Sequence, residues 1–224
     1  MIETTLNFSV QGHVDSGTLG FLLTHSCVPM NLSDVRQTLR TKRRALNPAQ
    51  QRVAAQDLAA IISRQGFFLR AKRVALYLAS DGEIDPAPLL DIALNADKLC
   101  FLPVIHPLKA NRLYFVEYRR GDPLKKNRFG ILEPLLGTST VAPVWSLDVV
   151  FLPLVGFDRS GNRIGMGGGF YDRTLANSTL QNRHPLLVGL AHSCQQMDAI
   201  EHQTWDIPLQ KIATDQEIIC AKQK

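Results

Sequence analysis

Residues 148–175 read DVVFLPLVGFDRSGNRIGMGGGFYDRTL, and this stretch decides the fold. Its apolar run from Val149 to Val155 is typical of a strand that is buried on both faces. Such strands belong to parallel sheets covered by helices, where ligand loops follow the carboxyl ends of the strands. We therefore expect a ligand site in the glycine-rich run that comes next.

That run, Gly165 to Gly169, has a glycine at every position except Met166. Glycine lets backbone amides approach an anion in conformations that other residues resist, so phosphate is the expected ligand. A helix beginning at Phe170 would point its free amides and its positive dipole end at the same loop. The spacing matches neither a Walker loop nor a Rossmann fingerprint, so a structural turn or a flexible lid stays open as an alternative.

The rest of the chain alternates short apolar runs with helical patterns. Further strands are predicted at Val74–Leu78, Leu99–Val104, Leu113–Tyr118, Leu186–Leu190 and Lys211–Thr214. A helix is predicted after Asp85-Pro86, and Pro134 to Pro143 is interpreted as a surface connection. This alternation predicts a Rossmann-like α/β fold of three layers, α/β/α, with a largely parallel, mixed central sheet.

An N-terminal helical hairpin is predicted before the first strand. Ser33 can cap a first helix, and Asn47-Pro48 has the cap-then-proline order of a second helix that lasts to Gly66. Apolar residues share one side of the first helix: Val35, Leu39 and Leu46. Basic residues are expected largely on the other sides: Arg36, Arg40, Arg43 and Arg44. A solvated basic face is the simple interpretation, and RNA binding is an alternative.

Composition limits the class of protein. No apolar stretch approaches the roughly 20 residues that cross a bilayer, so we expect a soluble protein. The formal net charge of +5 suits either nucleic acid or anionic small molecules. Four cysteines without metal spacing suggest reduced thiols in the cytoplasm. Residues 1–30 do not read as a targeting segment; we expect a disordered extension or a misassigned start, with translation beginning at Met30, and one domain over 31–224.

Five blocks in order resemble the 5-formyltetrahydrofolate cyclo-ligase family, in its bacterial branch, from Met30 to about Thr214. They are VRQTLRTKRRALNP at 35–48, YLASDGEID at 77–85, NRFGILEP at 127–134, LPLVGFDRSGNRIGMGGGFYDRTL at 152–175, and VGLAHSCQ followed by WDIPL. The resemblance implies conversion of 5-formyltetrahydrofolate, with or without a polyglutamate tail, to 5,10-methenyltetrahydrofolate with ATP and Mg2+, releasing ADP and phosphate. It also implies a cytoplasmic monomer without a nucleic-acid or membrane partner.

The resemblance carries residue roles. Arg163 and Asp172 would be catalytic, and Asp172 with Asp206 would hold Mg2+. The ATP-binding residues would be Leu32, Ser33, Asp34, Val35, Arg36, Arg163, Ile164, Gly165, Met166, Gly167, Gly168, Gly169, Phe170 and Tyr171. The folate-binding residues would be Leu78, Glu83, Phe129, Met166, Gly167, Gly168, Gly169 and Phe170. Leu32 and Gly168 stand where many members carry a basic residue.

Two other functions remain open on the residues alone. Because a fold does not fix its chemistry, a sugar-phosphate isomerase or an acyl-transfer enzyme could use a similar scaffold. An RNA-binding protein could use the basic first helix.

Overall fold

The computed structural model describes residues 31–137, 140–176, 184–201 and 206–221. The predicted N-terminal extension, residues 1–30, lies outside the described residues. The described cysteines, Cys100, Cys194 and Cys220, are free thiols. Among the described helices, none combines the length and the apolar character that crossing a membrane requires.

The helices begin and end close to the predicted positions. They are α1 (Leu32–Arg44), α2 (Pro48–Ser63), α3 (Gly66–Arg70), α4 (Ala87–Asn95) and α5 (Phe170–Leu175), with short 3-10 turns at Val144–Ser146 and Ser193–Gln195. Asn31, not Ser33, caps α1, because its side chain accepts a hydrogen bond from the Ser33 amide at 3.0 Å. Asn47 caps α2 as predicted, in a reciprocal capping box with Gln50.

A strand forms at each predicted place, but the first ends at Ala75 and not at the predicted Leu78, and several short strands form that were not predicted. The strands are β1 (Arg73–Ala75), β2 (Leu99–Ile105), β3 (Leu113–Tyr118), β4 (Leu124–Lys126), β5 (Leu132–Pro134), β6 (Val141–Ala142), β7 (Val149–Pro153), β8 (Gly156–Phe157), β9 (Arg163–Ile164), β10 (Leu186–Leu190), β11 (Lys211–Ala213) and β12 (Ile218–Cys220). The expected surface connection from Pro134 to Pro143 contributes β6, an edge strand that pairs with β3.

The central sheet confirms the predicted α/β class. Its eight strands lie in the order β12-β11-β10-β7-β1-β2-β3-β6. The inner strands β11, β10, β7, β1 and β2 run parallel, whereas β12, β3 and β6 pair antiparallel at the edges. Parallel neighbours need crossover segments, which is why α4 lies between β1 and β2, and α5 between β7 and β10, in the sequence.

Two hydrophobic clusters cover the two faces of the sheet. Val149 and Phe151 of β7 pack in the cluster that contains α2, α3 and α4, whereas Val150 and Leu152 pack in the cluster that contains Leu175 of α5. Alternate side chains of a strand point to opposite faces, so a strand covered on both sides must be apolar throughout. This arrangement accounts for the continuous apolar run and for the predicted layers.

Helix α1 lies at the end of the sheet rather than on one of its faces. Val35 and Leu39 pack against Val155 and Ile164, which follow β7 and end β9. Arg43, four residues beyond Leu39, lies on the same side of the helix and is fully buried. The expectation that Arg43 faces solvent is therefore wrong. Both predicted N-terminal helices form, but α2 has its main packing against α4 and α1 against the 193–195 turn.

The capping box of α2 provides a stability test. Replacing Asn47 with Ala removes the acceptor of the Gln50 amide, 2.9 Å away, and should lower the free energy of unfolding by about 1 kcal/mol. The control is Gln56→Ala, at an exposed amide side chain of the same helix, which should change it by less than about 0.5 kcal/mol. Chemical denaturation followed by circular dichroism measures both, and equal losses would contradict the capping role.

Candidate active site

The β8–β9 hairpin carries Arg163 away from the end of β7. Its turn is organised by the buried carboxylate of Asp158, which accepts hydrogen bonds from the amides of Ser160 at 2.9 Å and Asn162 at 3.0 Å. The second carboxylate oxygen accepts one from the Ile200 amide at 2.9 Å. An aspartate that binds amides two and four residues ahead shapes a tight turn. The hairpin thus holds Arg163 at a fixed place.

Arg163 joins three separate segments. Its guanidinium donates hydrogen bonds to the carboxylate of Asp172 in α5 and to the carbonyl oxygen of Ile207. Burial lowers the pKa of Arg163, while the charges of Asp172 and Asp206 raise it. The two predicted metal-binding carboxylates therefore both lie beside this one cation. The Asp172 side chain is 27% exposed, so solvent still reaches it.

The glycine run forms a loop that leads directly into α5, as predicted. Gly167 and Gly169 have φ of 90° and 63°, in the left-handed region that favours glycine. Gly169 is the N-cap of α5. The Arg173 guanidinium folds back from α5 and donates a hydrogen bond to the Gly168 carbonyl oxygen at 2.7 Å. A cation thus lies at the position where the loop itself has no basic side chain.

Helix α1 brings a second arginine to the loop. The Arg36 Nε donates a hydrogen bond to the Gly165 carbonyl oxygen at 2.9 Å. A side chain at Gly167 would meet the Arg36 guanidinium at 3.7 Å, so this group also lies beside the middle of the loop. Arg36 of α1 thus lies beside the glycine loop, and Arg163 comes just before that loop in the chain; their contact with ATP stays a prediction.

A cluster of arginines closes around Asp81. Arg40 Nε and Arg43 Nη2 each lie 2.8 Å from Asp81 Oδ2, and Arg44 binds the other oxygen. Burial raises the pKa of Asp81, but hydrogen bonds from these arginines outweigh it and lower the pKa to about 2. Asp81 has a φ of 53°, which places its carboxylate under α1. Arg43 is therefore directed into the protein, whereas Arg40 and Arg44 reach Asp81 from partly exposed positions.

Glu83 lies on the inner side of this cluster. Its Oε2 accepts a hydrogen bond from the Ser80 amide at 3.0 Å, and its side chain is only 9% exposed. Burial raises the pKa of Glu83, and the neighbouring Arg43 opposes that rise. Burial raises the pKa of the partly buried Tyr171 at the start of α5, and the charge of Glu83 raises it further. Glu83 and the loop-to-helix junction are thus close neighbours.

The remaining predicted residues lie in different environments. Phe129 is 57% exposed, and its ring lies edge-on to Phe170, with centroids 5.9 Å apart. Leu78 is half-buried against the core, and Ile164 and Val35 are buried in the small cluster under α1. The first turn of α1 exposes the other three: Leu32, Ser33 and Asp34. The side chains of Val35 and Ile164 therefore support the site from beneath, and only the backbone groups of these two residues could contact a ligand.

An open groove borders Phe129. It has a volume of about 350 Å³ and is lined by Ile105, His106, Pro107, Lys125, Lys126, Asn127, Arg128 and Glu133. The buried Glu133 accepts hydrogen bonds from the Ile105 amide and the Asn127 side chain, both at 3.2 Å. The carboxylate of Glu133 thus points toward these protein groups and away from the groove. The rim of the groove is positively charged, because its exposed side chains include Lys125, Lys126 and Arg128.

Sequence reasoning missed the buried ion cluster. Asp81 precedes the predicted Glu83 by two residues, and Arg43 lies in the predicted basic helix, so both were in the right segments. A helical period of 35, 39 and 43 could have placed Arg43 on the apolar side. Within the described ranges, no group of three or more His, Cys, Asp or Glu side chains could hold a metal ion by itself.

Comparisons with known proteins agree on one family. Residues 30–215 match the model of the 5-formyltetrahydrofolate cyclo-ligase family. A 5-formyltetrahydrofolate cyclo-ligase of Haemophilus influenzae is 43% identical over 183 residues, covering 78% of this chain and 94% of that one. The Escherichia coli K12 enzyme of that name is 42% identical over 180 residues, covering 80% and 98%.

A solved structure shares the fold as well. The NMR structure of Aquifex aeolicus 5,10-methenyltetrahydrofolate synthetase superposes with a TM-score of 0.74 at 28% identity, covering 87% of this chain and 95% of that chain. The blocks that suggested the resemblance are the segments that build the arginine-lined loop and the Glu83 cluster. The chain belongs to the 5-formyltetrahydrofolate cyclo-ligase family.

Proposed function

We propose that the protein converts 5-formyltetrahydrofolate to 5,10-methenyltetrahydrofolate, using ATP and Mg2+ and releasing ADP and phosphate. The observation that carries the proposal is the meeting of Arg36, Arg163 and Asp172 around the glycine loop, with Glu83 beside its junction with α5. Cations around a glycine loop suit a polyphosphate, and a buried carboxylate suits a ligand edge rich in N–H donors.

The nucleotide would bind at the loop. Arg36 and Arg163 approach the loop from opposite segments, so that their guanidinium groups can bind phosphate oxygens on two sides. Arg173, held at the Gly168 carbonyl oxygen, would supply the charge that the loop itself lacks at Gly168. The exposed first turn of α1, with Leu32 to Asp34, would border the rest of the nucleotide.

Mg2+ is proposed to bind with the nucleotide. Proteins usually hold Mg2+ by one or two carboxylates together with substrate phosphates and water, and Asp172 and Asp206 provide that donor set beside Arg163. The carboxylate chemistry thus fits the ion, although Asp172 also pairs with Arg163. When bound there, Mg2+ would neutralise charge on the phosphates during transfer.

The folate would bind on the other side of the loop. Glu83 would accept hydrogen bonds from the donor edge of the pterin ring, and the exposed ring of Phe129 would form an aromatic wall. The basic groove beside Phe129 would take the carboxylates of the glutamate tail, including a polyglutamate tail. Between these contacts the formyl group would lie at the glycine loop.

The chemistry requires positioning more than covalent help from the protein. The formyl oxygen attacks the γ-phosphorus of ATP and ADP leaves, which turns a poor leaving group into a phosphate ester. The second folate nitrogen then attacks the activated carbon and gives up its N–H proton, and the C–O bond breaks so that phosphate departs, taking up a proton, as the ring closes. Arginines that hold both substrates stabilise the charge that moves in these steps. That the enzyme works as a monomer in the cytoplasm stays a prediction.

The RNA-binding alternative loses its main support. It required a solvated basic face on α1, but Arg43 is fully buried, and Arg40 and Arg44 share the Asp81 carboxylate with it. No observation favours the sugar-phosphate isomerase alternative over the cyclo-ligase.

Activity itself is the first test. Purified protein with 5-formyltetrahydrofolate, ATP and Mg2+ should produce the methenyl chromophore, with one ADP per product molecule. Omitting ATP or adding a chelator should abolish the absorbance change, because phosphorylation of the formyl oxygen precedes ring closure. Folded protein that gives no product under these conditions would reject the proposal.

Two conservative variants separate the folate side from the nucleotide side. Glu83→Gln should raise the KM for 5-formyltetrahydrofolate about tenfold or more, the size expected for losing a charge-assisted hydrogen bond, with little change in the KM for ATP. Asp172→Asn should instead lower kcat and raise the Mg2+ concentration needed for half-maximal rate. Steady-state kinetics with each substrate varied measures the split, and matching defects for both ligands would contradict it.

A substitution in the glycine loop has a matched control elsewhere in the chain. Gly167→Ala puts a side chain on a backbone with φ of 90°, at a cost of about 1 kcal/mol or more, and should weaken ATP binding severalfold. Gly121→Ala, outside the loop, is the matched control, because it puts a side chain on a comparable backbone with φ of 92° where nothing lies within 4 Å, and its ATP affinity should stay near wild type. Calorimetric titration with a non-hydrolysable ATP analogue compares them. Equal losses would show that loop conformation does not govern binding.

A further inference from the structure

The guanidinium of Arg43 is fully buried and held by several groups at once. Nε donates a hydrogen bond to the Asp81 carbonyl oxygen at 2.9 Å, and Nη1 donates to the Leu154 carbonyl oxygen at 3.1 Å. Nη2 donates to Asp81 Oδ2 at 2.8 Å. A buried charge is tolerated only when it is paired and hydrogen-bonded in this way. These hydrogen bonds from other segments therefore fix the position of the Arg43 guanidinium, although the arginine side chain has several rotatable bonds.

The same Nη2 also faces both halves of the site. It lies 4.0 Å from Glu83 Oε1 and 3.9 Å from the sulfur of Met166 in the glycine loop. Glu83 belongs to the proposed folate side, and Met166 belongs to the glycine loop, for which the resemblance implies contacts with both ATP and folate. Arg43 is thus a single group in contact with both.

Helix α1 extends this link to the phosphate end of the loop. Arg36 and Arg43 are seven residues apart, which is about two turns and about 10 Å along one side of the helix. Arg36 binds the Gly165 carbonyl oxygen, while Arg43 binds Asp81 and faces Glu83. One rigid helix therefore sets the distance between the loop and the Glu83 segment.

Arg43 pairs with Asp81 at 2.8 Å and also lies 4.0 Å from Glu83, so the charges of Arg43 and Asp81 both act on Glu83. Burial raises the pKa of Glu83, the Ser80 hydrogen bonds and Arg43 lower it, and the charge of Asp81 raises it. Burial raises the pKa of Tyr77 and of Tyr171, and the charge of Glu83 raises both further. Arg40 and Arg44 meet Asp81 from partly exposed positions.

We propose that Arg43 is a positioning residue for the reaction: it keeps the Glu83 carboxylate ionised and fixed relative to the glycine loop. The inference rests on the proposed function of Glu83 in folate binding. Because Arg43 is fully buried, it acts through Glu83 and Met166 and not on a substrate. Without it, Glu83 would gain a proton more easily and would lose an acceptor for the pterin edge.

The variant Arg43→Gln tests this role against Arg40→Gln. Arg40 pairs with the same Asp81 oxygen at 2.8 Å, so it controls for simple loss of an arginine at Asp81. Carboxyl 13C NMR of the ligand-free protein, with the Glu83 signal assigned from Glu83→Gln, should show a higher pKa for Glu83 in Arg43→Gln only. The pKa of Glu83 should rise because removal of a nearby positive charge disfavours the ionised carboxylate.

Kinetics provide a second readout that a merely structural role would not change. In Arg43→Gln the KM for 5-formyltetrahydrofolate should rise about tenfold at acidic pH. The difference in KM between this variant and the wild type should become smaller as the pH is raised, because Glu83 then ionises in both proteins. The kcat should change less than the KM, and Arg43→Lys, which keeps the charge, should restore the pH profile in part. Arg40→Gln should follow the wild-type profile.

Several outcomes would overturn the proposal. They are an unchanged Glu83 pKa in Arg43→Gln, or an equal shift in Arg40→Gln. If Arg43→Gln does not fold, Asp81→Asn is used in its place. Because the charge of Asp81 raises the pKa of Glu83, Glu83 should titrate at lower pH in this variant. An unchanged pKa would refute the electrostatic coupling of Glu83 to the ion cluster. Wild-type protein without methenyl product would reject the proposed function, whereas the NMR titration would still report on Arg43 and Glu83.

Discussion

A buried guanidinium at the carboxyl end of the central strand organises the structure. Arg43 and the side chain of Gln195 both donate to the Leu154 carbonyl oxygen, which lies just beyond β7. Buried backbone carbonyls need partners, and here side chains from α1 and from the 193–195 turn provide them. The end of the sheet is thereby closed by polar groups from distant segments. The β8–β9 hairpin leaves from the same point with Arg163 in its second strand.

This closure determines where the charges lie. Arg43 cannot remain buried without a counterion, so Asp81 lies beneath α1 and brings Glu83 with it. On the other side of the loop, Arg163 has Asp172 as its partner. The site therefore alternates cations and carboxylates in a small volume. Such a fixed arrangement suits a reaction in which charge moves between a phosphate and a folate, because no group needs to reorient.

The strands show which parts of a fold a linear pattern can predict. Runs such as Leu113–Tyr118 and Leu186–Leu190 coincide with β3 and β10, because burial on the sheet leaves a strong apolar signal. Strands of two or three residues, such as β6, β8 and β9, are too short to have a period. They form because a neighbouring strand or turn offers backbone partners, and that depends on the completed fold.

The sequence by itself determined the class of sheet, the glycine loop at the end of its central strand, and, through ordered blocks, the family. These are local or collinear features, since apolar runs and glycine spacing are written along the chain. Only the tertiary structure decided that Arg43 is an internal cation paired with Asp81, and that Arg40 and Arg44 share the same carboxylate. The physical reason is that a charged side chain can be buried only where another segment of the chain provides its counterion, and it stays at the surface where no segment does.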